Sequence, residues 1–207
     1  MSSLRIAFLA RFPGVPTARA LTDVVERRVA ELARAGAHVE ERPPGFTIDA
    51  LNVVWRDYFA LLSNVFSALT GASLPIPVPE GPPATAVDWV KVLARRDTLI
   101  VALEKLLEDF DVFLSPVSIS TAFPHGPPRT PIPVDGEAIE SRFVDHYVYP
   151  FNFTGHPAVV LPAGLADDGL PVGIQLVGKR WADERLLAVA RPIAELFGGF
   201  QPPPHFE

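Results

Sequence analysis

Residues 4–42 read as a strand, an amphipathic helix and a second strand, and few architectures accept that succession. The stretch 4–10, LRIAFLA, is apolar and closes at Phe12-Pro13-Gly14, the pattern of a buried strand running into a turn. Over 17–35, Leu21, Val24, Val25, Val29 and Leu32 recur at three-and-four spacing. Glu26, Arg27, Glu31 and Arg34 lie on the other face, and Gly36 supplies the stop. Residues 38–42 form a second strand ended by Pro43-Pro44. Such a βαβ unit sets its strands parallel in one sheet with a right-handed crossover.

The rest of the chain extends that plan. Helices are predicted over 48–69 and 86–110, separated by a proline-rich segment, 74–83. In the second, Trp89, Val92, Leu93, Leu99, Ile100, Leu103, Leu106 and Leu107 make one apolar stripe. The run DVFLS, 111–115, is continuous and apolar before Pro116, as in a central strand buried on both faces. Residues 118–134 offer only turn chemistry. A short helix is expected over 138–149, strands over 158–162 and 172–177, and a last helix over 183–197, capped by Asp183 and kinked at Pro192. Between the two strands, Gly164 and Gly169 suit positive φ. The fold class is α/β: three layers, α/β/α, around a mixed sheet, in a single domain of 207 residues.

Composition narrows the function. Eighteen Lys plus Arg stand against 24 Asp plus Glu, a net charge of −6, which argues against nucleic acid or an anionic membrane as the partner. The absence of cysteine excludes a disulfide framework, a zinc ribbon and a thiol nucleophile within these residues. Residues 4–10 carry Arg5 and read as a strand rather than a signal peptide, and the apolar region 59–78 is broken by Asn64, Gly71, Pro75 and Pro77. A soluble, cytoplasmic protein is the expectation.

No Gly-rich phosphate loop and no Gly-x-Ser-x-Gly occurs. The histidines His38, His125, His146, His156 and His205 are never spaced to share one helical face, so neither a metal nor a cofactor is expected. Ser115 or Ser118, His125 and Asp135 together contain the residue types of a nucleophile, a base and an orienter. They are common residues in one loop, and turn hydrogen bonding beside Pro116 explains the serines better.

The most distinctive region runs PFNFTGHPAVVLPAG, then GLPVGIQLVG, then DERLLAVA, within 150–190. Asn152, Thr154 and Gly155 ahead of Pro157 describe a tight approach to a strand, and the buried Gln175 amide must find partners. By themselves these are devices for pairing two core strands and a helix. The ordered run also closely resembles the later half of the amidase signature family, serine hydrolases that cleave amide bonds. LRIAFLA, RAGAHVEE and DVFLSPVS extend the likeness over nearly the whole chain.

The resemblance implies amide hydrolysis and also a gap. In that family the nucleophilic serine, a second serine joined through a cis peptide and a lysine base lie in the earlier half, around a Gly- and Ser-rich loop. Ser2-Ser3 has neither the glycines nor an upstream lysine, so no catalytic residue is assigned here. A chain of this kind, alone, is expected to be inactive. The resemblance implies substrate contacts for Phe123, His125, Phe151 and Phe153, while core packing suits Phe151 and Phe153 equally and a turn suits Phe123. The implied partner is a complementary N-terminal half, or a second copy across an exposed sheet. The alternative is a non-catalytic binding module or a truncated gene product.

Overall fold

The computed structural model describes residues 2–72, 85–200 and 202. The predicted proline-rich segment 74–83 therefore lies outside the described residues. Strand β1 (Arg5–Phe8), helix α1 (Arg19–Arg34) and strand β2 (His38–Glu41) form the expected unit, with the two strands parallel from Arg5 opposite His38 to Phe8 opposite Glu41. The buried face of α1 holds Leu21, Val24, Val25 and Leu32, as the spacing requires.

Helices α2 (Ile48–Thr70) and α3 (Ala86–Asp109) follow. Thr85 and Asp88 close α3 with a reciprocal capping box, which satisfies two backbone donors at its first turn. Strand β3 (Val112–Pro116) is buried along its whole length. It pairs parallel with β1 on one side and antiparallel with β7 (Pro171–Val177) on the other. Beyond β7 lies β6 (Ala158–Leu165), so the five-stranded sheet runs β2-β1-β3-β7-β6. The sheet is mixed, as predicted: β2, β1 and β3 run parallel, while β7 is antiparallel to both β3 and β6. Gly164 and Gly169 both take positive φ, as predicted, at 108° and 80°.

Two expectations fail locally. Residues 138–149 do not form a helix. A small hairpin, β4 (Ile132–Val134) with β5 (Glu137–Ile139), is followed by a single 3-10 turn, and the helix starts later as α4 (Tyr149–Thr154). Tertiary burial overrides the local helical pattern here: Tyr147 is fully buried and stacks on Phe12 at 4.9 Å. The last helix, α5 (Asp183–Leu196), runs through Pro192, but its cap position is Ala182, with Asp183 inside the first turn. There its carboxylate still favours the positive end of the helix dipole.

The main core joins the sheet to α1, α3 and α5 through residues such as Ile6, Val25, Leu103, Phe113, Ile174 and Ile193. A second cluster, Leu51, Val54, Val92, Leu99, Tyr149 and Phe153, holds α2, α3 and α4 together. No helix among the described residues is long and apolar enough to cross a membrane.

Candidate active-site wall and its surroundings

The parallel strands β1 and β3 send the chain into loops that are tied together. Leu9 N–H donates to Leu114 O at 3.0 Å and Ala18 N–H to Ile119 O at 2.8 Å. Behind these loops lies a closed polar knot. Gln175, on β7, donates from Nε2 to Ser115 Oγ (3.0 Å), Pro116 O (2.9 Å) and Tyr147 O (2.5 Å). Tyr147 OH lies 2.7 Å from Thr17 Oγ1 and accepts Phe12 N–H at 3.2 Å. Burial pushes the Tyr147 hydroxyl pKa up. The amide anticipated at Gln175 has thus found partners, and it fixes the loop after β3 to the segment leading into α4.

The loop residues of nucleophile, base and orienter type do not form that set. Ser115 Oγ is inside the knot and also donates to Pro116 O at 3.2 Å. Asp135 sits in the β4–β5 turn at φ 50°, and both its oxygens accept the Arg19 N–H at 3.1 Å. It therefore supplies the cap that Ala18 cannot give α1. Among the described residues no hydrogen bond joins either group to His125.

Phe123 and His125 line a cavity of about 400 Å³ in the loop after β3, together with Pro124, Thr130, Ile132 and Ser141. Phe123 is 40% exposed there. Phe151 and Phe153 are placed elsewhere by the short helix α4. Phe151 points into the main core, its ring 6.0 Å from that of Phe113. Phe153 lines a second cavity of about 290 Å³ with Trp55, Tyr58, Phe59, Arg96, Tyr149 and Asn152. The resemblance groups these four phenylalanine and histidine side chains on one substrate wall; the structure distributes them over two cavities and the core.

The second cavity is an aromatic box. Tyr58 meets Phe153 edge-on at 5.3 Å, Trp55 stands 4.4 Å from Phe59 and 5.6 Å from Tyr149, and Tyr149 OH donates to Asn52 Oδ1. Burial, with Asp145 and Asp49 nearby, raises the Tyr149 pKa. Sequence patterns do not single out Trp55, Tyr58 or Arg96. They lie on α2 and α3, whose periodicity announces only packing faces, and the cavity exists because α4 docks between them.

Beside the box, Gly155 ends α4 at φ 74°, a left-handed cap that glycine adopts without strain. The next residue, His156, is buried, with Nδ1 2.9 Å from Thr154 Oγ1. Its Nε2 comes 3.2 Å from Glu104 Oε1 but off the line of a hydrogen bond, so that nitrogen has no hydrogen-bond partner among the described residues. Glu104 Oε1 instead accepts the Arg180 N–H at 2.9 Å. Burial, helped by the Arg180 charge and opposed by Glu104, lowers the His156 pKa to about 4.

A mixed-sheet α/β chain with these loops at the end of β3 matches known proteins. The sequence model of the Amidase family matches residues 1–187. The chain belongs to that family, the amidase signature enzymes. A glutamyl-tRNA(Gln) amidotransferase subunit from Salinispora tropica is 30% identical over 195 residues, covering 94% of this chain and 33% of that protein. A fatty acid amide hydrolase from Medicago truncatula is 30% identical over 114 residues, 55% of this chain and 19% of that protein. In structure, a bacterial aryl acylamidase of the same family superposes with a TM-score of 0.70 at 20% identity, over 97% of this chain and 46% of that one. The chain thus spans a third or less of these two curated relatives.

Proposed function

We propose that residues 1–207 are a single, partial domain that builds the later part of an amide-hydrolysing site, with the Ser–Ser–Lys chemistry supplied from outside these residues. The observation that carries this reading is the family match over 1–187 in a chain with only three lysines, Lys91, Lys105 and Lys179. Lys91 and Lys105 are exposed on α3, and no serine-rich glycine loop accompanies any of the three. In this reading the Gln175 knot positions the loop after β3, Phe123 and His125 face the substrate, and Phe153 lines its flank. Phe151 packs in the main core against Phe113, and the site of action is the cytoplasm.

The sheet supports a complementary half as the partner. One edge, β2, is four residues long and carries Glu40 and Glu41, a pattern that discourages pairing. The other, β6, is eight residues long, without charge, and leaves Val160 54% exposed. A sheet that continues past β6 covers that edge, whether through the complementary half or through a second copy.

The test is to recover the tagged chain from its source cells, treat it with a fluorophosphonate serine-hydrolase probe and read all associated species by intact mass. Label on an associated polypeptide is the expected result. Label on a serine within residues 1–207 refutes the reading, as does a chain that associates with nothing and takes no label. The latter outcome leaves a binding module or a truncated gene product.

A further inference from the structure

Seven of the fifteen arginines in this fold meet a carboxylate among the described residues. Arg28 pairs with Glu31, Arg95 with Asp57 at 2.7 Å and Arg185 with Asp111 at 2.7 Å. Arg96 and Arg180 do not. Neither has a carboxylate oxygen within 4.0 Å of its guanidinium among the described residues, and both are half-buried. They nevertheless converge: a methyl group built on Gly155 would sit 3.7 Å from Arg96 Nη2, 3.6 Å from Arg180 Nε and 3.8 Å from Arg180 Nη2. Two like charges aimed at one point repel, and their burial strengthens the repulsion.

The donors are also unspent. Arg96 uses Nε on Phe153 O at 2.6 Å, which leaves its terminal nitrogens free among the described residues. Arg180 makes no side-chain hydrogen bond to the described residues, and its Nε is buried without a partner. The nearby carboxylate of Glu104 accepts the Arg180 N–H with Oε1 and faces His156. A buried donor left unmade is costly.

Arg96 also belongs to the aromatic box of about 290 Å³, where Trp55, Tyr58, Phe59, Tyr149 and Phe153 offer ring faces and edges. We infer that this is a ligand site of its own, taking a small arylalkyl monocarboxylate whose carboxylate lies between Arg96 and Arg180 and whose ring enters the box. Planar guanidinium forks suit a carboxylate, and the box suits a flat apolar body. The inference shares Phe153 with the substrate wall proposed above but goes beyond that reading, since it requires no nucleophile.

The experiment is calorimetric titration of the full chain at low ionic strength with 3-phenylpropionate, 3-phenylpropionamide and acetate. The acid is expected to bind about tenfold or more tightly than the isosteric amide, as charge-assisted hydrogen bonds require, and more tightly than acetate, which has no ring. Arg180→Gln abolishes the preference for acid over amide while circular dichroism and the thermal midpoint show a folded protein. Arg96→Lys, which keeps the charge and loses the fork, binds the acid at an intermediate level. Equal affinity for acid and amide overturns the inference, as does unchanged acid binding in Arg180→Gln, or no binding of any of the three to folded protein. None of these outcomes bears on whether an associated polypeptide takes a serine-hydrolase label, so the two readings fail separately.

Discussion

Two polar clusters in this molecule have opposite finish. Around Gln175 the polar groups are joined: the amide reaches Ser115, Pro116 and Tyr147, and Tyr147 continues to Thr17. Around Gly155 the groups are less confined, with half-buried arginines beside a buried His156, and incomplete, with Arg180 Nε and His156 Nε2 lacking hydrogen-bond partners among the described residues. A satisfied cluster contributes stability and a fixed loop position, whereas an unsatisfied one keeps free energy in reserve for whatever completes it. The first is therefore read as scaffold and the second as a site.

Substitution separates them most strongly at Gln175. Gln175→Leu keeps the volume of the side chain but strands the Tyr147 carbonyl in a dry interior and leaves Ser115 Oγ and Pro116 O with only their mutual bond. With about 1–3 kcal/mol for the stranded carbonyl and about 1 kcal/mol for each of the other two bonds lost, a loss of about 4 kcal/mol is expected in urea unfolding. A loss under about 1 kcal/mol removes the distinction between the two clusters.

Acid probes the Gly155 cluster. The His156 pKa is lowered in the folded state, from 6.5 to about 4, chiefly by burial. Between those values the unfolded chain binds more protons than the folded one, so stability rises with pH across the window. The contribution is complete above about pH 6.5 and is lost as the pH falls toward 4, to a total of about 3 kcal/mol. Urea midpoints at steps between pH 7 and 4.5 measure the slope, and His156→Gln flattens it. A slope that persists in that variant assigns the effect to another group.

Much of the frame was legible because it is local. The βαβ unit, α3, β3, β6 and β7 are announced by periodicity and by Pro or Gly at their ends, and their observed bounds differ by a few residues at most. Residues 138–149 misled because Ile139, Phe143, Val144 and Tyr147 mimic helical spacing while Tyr147 is drawn to Phe12 and Thr17, far away in sequence. Asp135 was legible as a carboxylate in a loop, but its duty at Arg19 N–H depends on a contact that no pattern announces. The convergence of Arg96 and Arg180 was invisible for the same reason. Each lies in a stretch whose local logic is complete without the other.

A smaller effect is expected at the glycine between the two arginines. Gly155→Ala places a side chain on a residue held at φ 74°, which costs about 1–2 kcal/mol of stability. The methyl group also occupies the space where the guanidinium groups converge, so the variant loses 3-phenylpropionate binding beyond what its thermal midpoint explains. A destabilised variant that binds normally confines Gly155 to its role as the cap of α4.

The smallest effect is the sharpest comparison. Arg180→Gln removes a side chain that donates no hydrogen bond to the described residues and whose cation–π contact, 5.5 Å above Trp181, lies against a ring that is 88% exposed. Losing that contact costs about 0.5 kcal/mol, and relief of repulsion with Arg96 offsets it, so the unfolding free energy at pH 7.5 stays within about 0.5 kcal/mol of the parent. The same substitution removes a positive charge that helps hold the His156 pKa down. The folded-state pKa then rises toward its unfolded value, and the acid-side loss of stability shrinks. A side chain whose deletion is neutral near pH 7.5, protective in acid and damaging to carboxylate binding is placed for a ligand. A loss as large as that of Gln175→Leu at pH 7.5 instead makes Arg180 a second structural knot.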